Sequence, residues 1–127
     1  MTQAYNKKNG DGIERIFKAT ICSFQGFKAA WLNESAFRQE LVLSLMLLPF
    51  SFYLAQSRLH WLLLFGCLLF VLFAEIINSA LEALADSITL EHHMLIGRAK
   101  DLGSSGVFIA LCFLAVVWGE ALISLFM

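Results

Sequence analysis

Residues 61–86 read WLLLFGCLLFVLFAEIINSALEALAD, and the fold follows from how this stretch changes along its length. Residues 61–74 carry no charge, whereas residues 75–86 carry Glu75, Glu82 and Asp86. At about 100° per residue, Glu75, Asn78, Ser79, Glu82 and Asp86 fall within an arc of roughly 100°. The spacing predicts an apolar helix that gains a carboxylate stripe on one face. At membrane depth a charged side chain costs about 2.5–3.5 kcal/mol on insertion scales, which makes each such residue a functional candidate. The alternative is a stripe that only hydrogen-bonds neighbouring helices. It suits Asn78 and Ser79 better than Glu75 and Glu82, because two carboxylates bond each other only through a cation or a shared proton.

Composition agrees with a membrane setting. The chain has 127 residues, of which 59% are hydrophobic, too apolar for an ordinary soluble domain. One integral membrane domain over 1–127 is the simplest organisation. The formal net charge of −1 supplies no basic field for nucleic acid. Cys22, Cys67 and Cys112 form no CxxC and read as small buried hydrophobes, not a zinc or disulfide framework. Residues 1–12 lack the apolar core of a signal peptide, so insertion is expected to rest on internal helices.

In chain order, 1–11 is polar and reads as a flexible tail. Residues 12–33 place Ile13, Ile16, Phe17, Ile21, Phe24, Phe27 and Trp31 at helical spacing among Arg15, Lys18 and Lys28, the pattern of an amphipathic helix lying on a membrane surface. Three spans are expected at 35–55, 60–86 and 102–127. The first contains Pro49, tolerable but kinking in a membrane helix. Residues 56–60 read as a tight turn and 87–101 as a polar loop. The fold class is all-α: three transmembrane helices plus the surface helix.

Eight of the nine Lys and Arg residues fall on one side of this topology and Arg58 alone on the other. The positive-inside rule then places the N-terminus and 87–101 in the cytoplasm of a multi-pass protein. Glu75 lies about 21 Å from Trp61, inside a hydrocarbon core of ~30 Å, and Glu82 about 10 Å further, at the cytosolic surface.

Three polar clusters share that side: NESAFRQE at 33–40, the stripe at 75–86, and EHHMLIGRAKD at 91–101. Carboxylates at Glu34 and Glu82 suit Mg²⁺, which also takes substrate phosphates. Arg98 and Lys100 suit phosphate charge, and Glu75 can accept a proton from an alcohol in the membrane. Together these fit phosphoryl transfer from a nucleotide to a lipid hydroxyl. No P-loop and no kinase glycine-rich loop is present. The same acids also fit a proton or cation pathway, and a small structural membrane subunit is a further alternative. The His92–His93 pair lacks further ligands at zinc spacing and reads as loop or nucleotide contact.

The segments ERIFKA at 14–19, AAWLNESAFRQE at 29–40, AEIINSALEALAD at 74–86 and EHHMLIGRAKDLGS at 91–104 closely resemble the bacterial diacylglycerol kinase family of small membrane enzymes. AFRQE is similar to the Gram-negative members more than to the related undecaprenol kinases, which stay as the alternative acceptor class. The resemblance implies a homotrimeric helical bundle in the bacterial inner membrane, with MgATP as donor, diacylglycerol as acceptor and phosphatidic acid as product. It implies Glu75 as general base with Asn78 supporting it, and Glu34 and Glu82 as Mg²⁺ ligands. It implies nucleotide contacts at Arg15, Cys22, Glu34, Glu82, Glu91, His92, His93, Lys100 and Asp101. Cys22 and His92 stand where related chains often carry tyrosine. Lipid-side positions implied in the same way are Arg15, Ala19, Ser23, Lys28, Ala29, Ala30, Trp31, Ala36, Phe37, Arg38, Gln39, Glu40, Glu75 and Ser104. A lone protomer is expected to leave Glu75 facing lipid, which association through its stripe would relieve.

Overall fold

One extended residue, Glu34 (φ −118°, ψ 105°), separates a helix that buries a single residue from one that joins the bundle. The computed structural model describes residues 10–127; of the expected flexible tail at 1–11, only Gly10 and Asp11 fall within them. Among the described residues there are four helices, α1 (Gly12–Asn33), α2 (Ser35–Leu54), α3 (Arg58–Ile88) and α4 (Met94–Phe126), and no strand.

Helix α1 buries only Ala30 and leaves Ile13, Ile16, Phe17, Phe24 and Phe27 exposed. Such a face is stable only against an apolar phase, as in an interfacial helix. The corner at Glu34 is held by Arg38, whose Nη1 donates to the Trp31 carbonyl at 2.7 Å.

Helix α2 continues through Pro49. Beside it the Ser51 hydroxyl donates to Leu48 O at 2.5 Å and accepts from Trp61 Nε1 at 3.0 Å. This ties the proline region to the start of α3. The turn is shorter than expected: α3 starts at Arg58, where the Ser57 hydroxyl caps it by accepting from His60 N at 3.0 Å.

Helices α3 and α4 run 31 and 33 residues. At 1.5 Å per residue both exceed the ~30 Å hydrocarbon core by about 15–20 Å. Both are long and apolar enough to cross a membrane; α2 does not meet that measure. Their shared core joins Leu64, Cys67 and Leu68 to Val117, Trp118 and Ala121, with Leu54 of α2. The Trp118 indole donates to Leu64 O at 3.1 Å, which settles its N–H in an apolar interior. Of the three cysteines only Cys67 is buried. Cys22 and Cys112 lie on the protomer surface, because their helices turn those positions away from the bundle.

The expected loop at 87–101 is mostly helix. Residues 89–93 alone separate α3 from α4. His93 caps α4, with Nδ1 accepting from Leu95 N at 3.2 Å. The physical reason is that Arg98, Ala99 and Lys100 are good helix formers. Their polarity reflects the solvated end of a helix longer than the membrane is thick.

Candidate active site

The stripe on α3 forms, but it does not face lipid. Glu75 is 5% exposed, Asn78 9% and Ser79 8%, because α2 and α4 flank this part of α3 within a single protomer. The expectation that a lone protomer leaves Glu75 in contact with lipid is therefore corrected: intramolecular packing already buries it.

Four carboxylates share one electrostatic environment. Glu34 at the α1–α2 corner and Glu82 on α3 both act on Glu75. Glu75 in turn acts on Glu40 of α2, whose Oε2 is buried without a hydrogen-bond partner. So Glu34 acts electrostatically on Glu75 within the same chain. Asn78 Nδ2 donates to Glu82 Oε1 at 3.3 Å, which orients that carboxylate. Like charges gathered in a poorly solvated place are unfavourable unless a cation or proton joins them.

Beside these acids a cleft of about 540 Å³ opens between α1 and α3. Its walls are mostly apolar, with Gly26, Phe27, Ala29 and Ala30 on one side and Ile76, Ala80 and Ala83 on the other, and the polar groups at its wall are Ser23, Asn33, Glu34 and Ser79. It suits an apolar molecule with a hydroxyl end presented to the carboxylates.

The remaining implied residues divide by place. Lys100 meets the α3 stripe: its Nζ binds Asp86 Oδ1 at 2.6 Å. The hydrogen bond to Asp86 holds the ammonium above its ordinary pKa, so it stays cationic at neutral pH. Asp86 had drawn no role from the sequence; its position on the stripe is the signal that pairs it with the α4 end. His93 serves as the α4 cap, while Glu91, His92, Asp101 and Ser104 are exposed at the same end. Arg15 and Ala19 lie on the exposed flank of α1 with Ile16 and Ser23 around a shallow cleft, away from the α3 acids. Cys22, Lys28 and Trp31 are exposed on α1. Ala36 is half-buried, Phe37 is buried at 4% exposure, and Arg38 and Gln39 border a shallow groove on α2 with Val42 and Met46.

Among the described residues no three His, Cys, Asp or Glu side chains converge as a metal-binding group. Mg²⁺ does not need one. It keeps several waters and is bound by one or two carboxylates together with substrate phosphates. The all-oxygen pair Glu34 and Glu82, neither neutralised by a protein cation in a direct ion pair among the described residues, fits that requirement.

Residues 21–122 match the family model described as prokaryotic diacylglycerol kinase. The chain is similar to the diacylglycerol kinase of Haemophilus influenzae, 43% identical over 111 residues that cover 87% of this chain and 94% of that protein. It is 43% identical to the Escherichia coli K12 diacylglycerol kinase over 87% of this chain and 90% of that one. To the Pseudomonas aeruginosa diacylglycerol kinase it is 41% identical over 91% and 94%. The buried acid stripe, the adjoining apolar cleft and these similarities along most of the length agree, and the chain belongs to the prokaryotic diacylglycerol kinase family.

Proposed function

We propose that this protein phosphorylates diacylglycerol with MgATP at the cytoplasmic face of the inner membrane, giving phosphatidic acid and ADP. The observation that carries this reading is a buried carboxylate, Glu75, whose helix neighbours Ile76 and Ser79 line an apolar cleft together with Glu34, which acts on it electrostatically. The family and the names of the relatives supply the acceptor.

In this reading the lipid enters the α1–α3 cleft sideways from the inner leaflet. Its primary hydroxyl comes to Glu75, which takes the proton as the hydroxyl oxygen attacks the γ-phosphorus. The bond from that phosphorus to the β–γ bridging oxygen breaks, and ADP leaves. Mg²⁺ bound by Glu34, Glu82 and the phosphates would neutralise phosphate charge. Asn78 holds Glu82 in place, and Lys100 adds a fixed cation beside the nucleotide. Catalysis then comes mainly from positioning and charge neutralisation.

Helix α2 is the third span, with Arg38 and Glu40 at its cytoplasmic end, and the whole of 1–127 is one membrane domain with its N-terminus inside. The assembly is a homotrimer. Among the described residues, Arg15, Glu91 and His92 make no side-chain hydrogen bond or ion pair to the four carboxylates, and a neighbouring copy would bring such nucleotide-side groups to each site. An acceptor panel tests the reading. Diacylglycerol should be phosphorylated in preference to ceramide and undecaprenol, and a clear preference for undecaprenol would move the protein to the other branch of the family.

A further inference from the structure

Helix α4 carries Gly97, Gly103, Gly106 and Gly119. A methyl group built at three of them meets no heavy atom within 4 Å. At Gly103 it would stand 2.5 Å from Asn78 Oδ1, 3.2 Å from Leu81 Cδ1 and 3.5 Å from Asn78 Cγ. The Asn78 carboxamide thus occupies the space that a Cβ would take. Its Oδ1 is buried and has no hydrogen-bond partner, so no other contact fixes that end of the amide. The opposite end donates to Glu82 Oε1 at 3.3 Å, already long for an N–H···O bond. A carboxylate only accepts, so Nδ2 must point at Glu82 and Oδ1 at Gly103.

We propose that Gly103 is a positioning residue for phosphoryl transfer: its missing side chain lets Asn78 stand between α3 and α4 and hold the Glu82 carboxylate. This rests on the reading of Glu82 as a Mg²⁺ ligand. A methyl group at 103 has to displace something. Asn78 is the nearest group, and a small rotation breaks its long bond to Glu82. Glu82 then loses the donor that orients it. Removing a hydrogen-bond partner of a metal ligand lowers metal affinity or activity by roughly 10–100-fold.

The experiment compares wild type, Gly103→Ala and Gly106→Ala, each purified full-length in detergent. Three quantities are read: the Mg²⁺ concentration for half-maximal turnover, calorimetric binding of a non-hydrolysable ATP analogue with and without Mg²⁺, and the Tm. Gly103→Ala should raise the Mg²⁺ requirement and weaken Mg²⁺-dependent analogue binding by about tenfold, while Gly106→Ala matches wild type. A Gly103→Ala protein with wild-type Mg²⁺ dependence, whether or not its Tm falls, overturns the proposal and leaves the kinase reading standing. Wild-type analogue binding that ignores Mg²⁺ overturns instead the assignment of Glu82. If Gly103→Ala does not fold, Asn78→Ala/Gly103→Ala should recover folded protein, since the amide in the way is gone. A double variant that also fails to fold refutes the link through Asn78.

Discussion

Replacing Glu75 with glutamine keeps the size and shape of a side chain that is 5% exposed, and removes its ability to take a proton. Loss of a general base lowers kcat by roughly 10²–10⁴-fold. At 1.36 kcal/mol per decade this is about 2.7–5.4 kcal/mol of transition-state stabilisation. The structure adds a second, opposite expectation. Glu75 sits within the electrostatic reach of Glu34, Glu40 and Glu82, so neutralising it removes like-charge repulsion inside the bundle. Glu75→Gln should therefore be at least as stable as wild type while nearly inactive, the stability–activity trade-off of a strained site. The assay pairs initial rates at saturating MgATP and diacylglycerol with the Tm in the same detergent. Turnover near wild type would refute the base assignment. A variant that loses activity together with a large fall in Tm would refute the electrostatic account, since it would show Glu75 holding the bundle together.

Glu34→Gln and Glu82→Gln should each raise the Mg²⁺ requirement, since each removes a hard anionic ligand; unchanged Mg²⁺ titrations in both would leave them structural. A cysteine placed within 56–60 should react with an impermeant reagent from outside, and one within 89–93 only after permeabilisation, in a background lacking the native cysteines; the reverse pattern would invert the topology. Trp118→Phe removes the indole bond to Leu64 O, a carbonyl that still accepts from the Cys67 thiol, and should lower stability by only about 0.5–1.5 kcal/mol with kcat unchanged, as read from unfolding in detergent. Under the proposed arrangement, in which Glu34 and Glu75 of one chain serve one site, mixed oligomers of Glu75→Gln and Glu34→Gln should stay inactive at every ratio at a Mg²⁺ concentration too low for Glu34→Gln alone; recovered activity would mean that the α1–α2 corner serves a neighbour's site.

Much of the architecture was legible in the pattern of 61–86. An uncharged run followed by acids at helical spacing specifies both a long apolar helix and the face that carries its polar stripe. The amphipathic repeat of α1 was legible for the same reason, since its apolar positions recur at helical spacing. The start of α4 was not. Residues 94–101 are polar, and polarity alone does not separate a loop from a solvated helix end. Burial of Glu75 was hidden too, because it depends on how α2 and α4 pack around α3. The same holds for Gly103: a glycine inside a helix gives no sign of which side chain stands opposite it. Residue type and spacing singled out the acids and the Lys100 cation as candidates, whereas the Asp86–Lys100 bond and the Asn78–Glu82 bond needed the fold.

Transfer of label from [γ-³²P]ATP to lipid by the purified chain in detergent micelles containing diacylglycerol tests the central claim most directly. Wild type should give Mg²⁺-dependent label in phosphatidic acid and Glu75→Gln almost none. No labelled lipid from folded wild-type protein, or equal labelling by the two proteins, would contradict it.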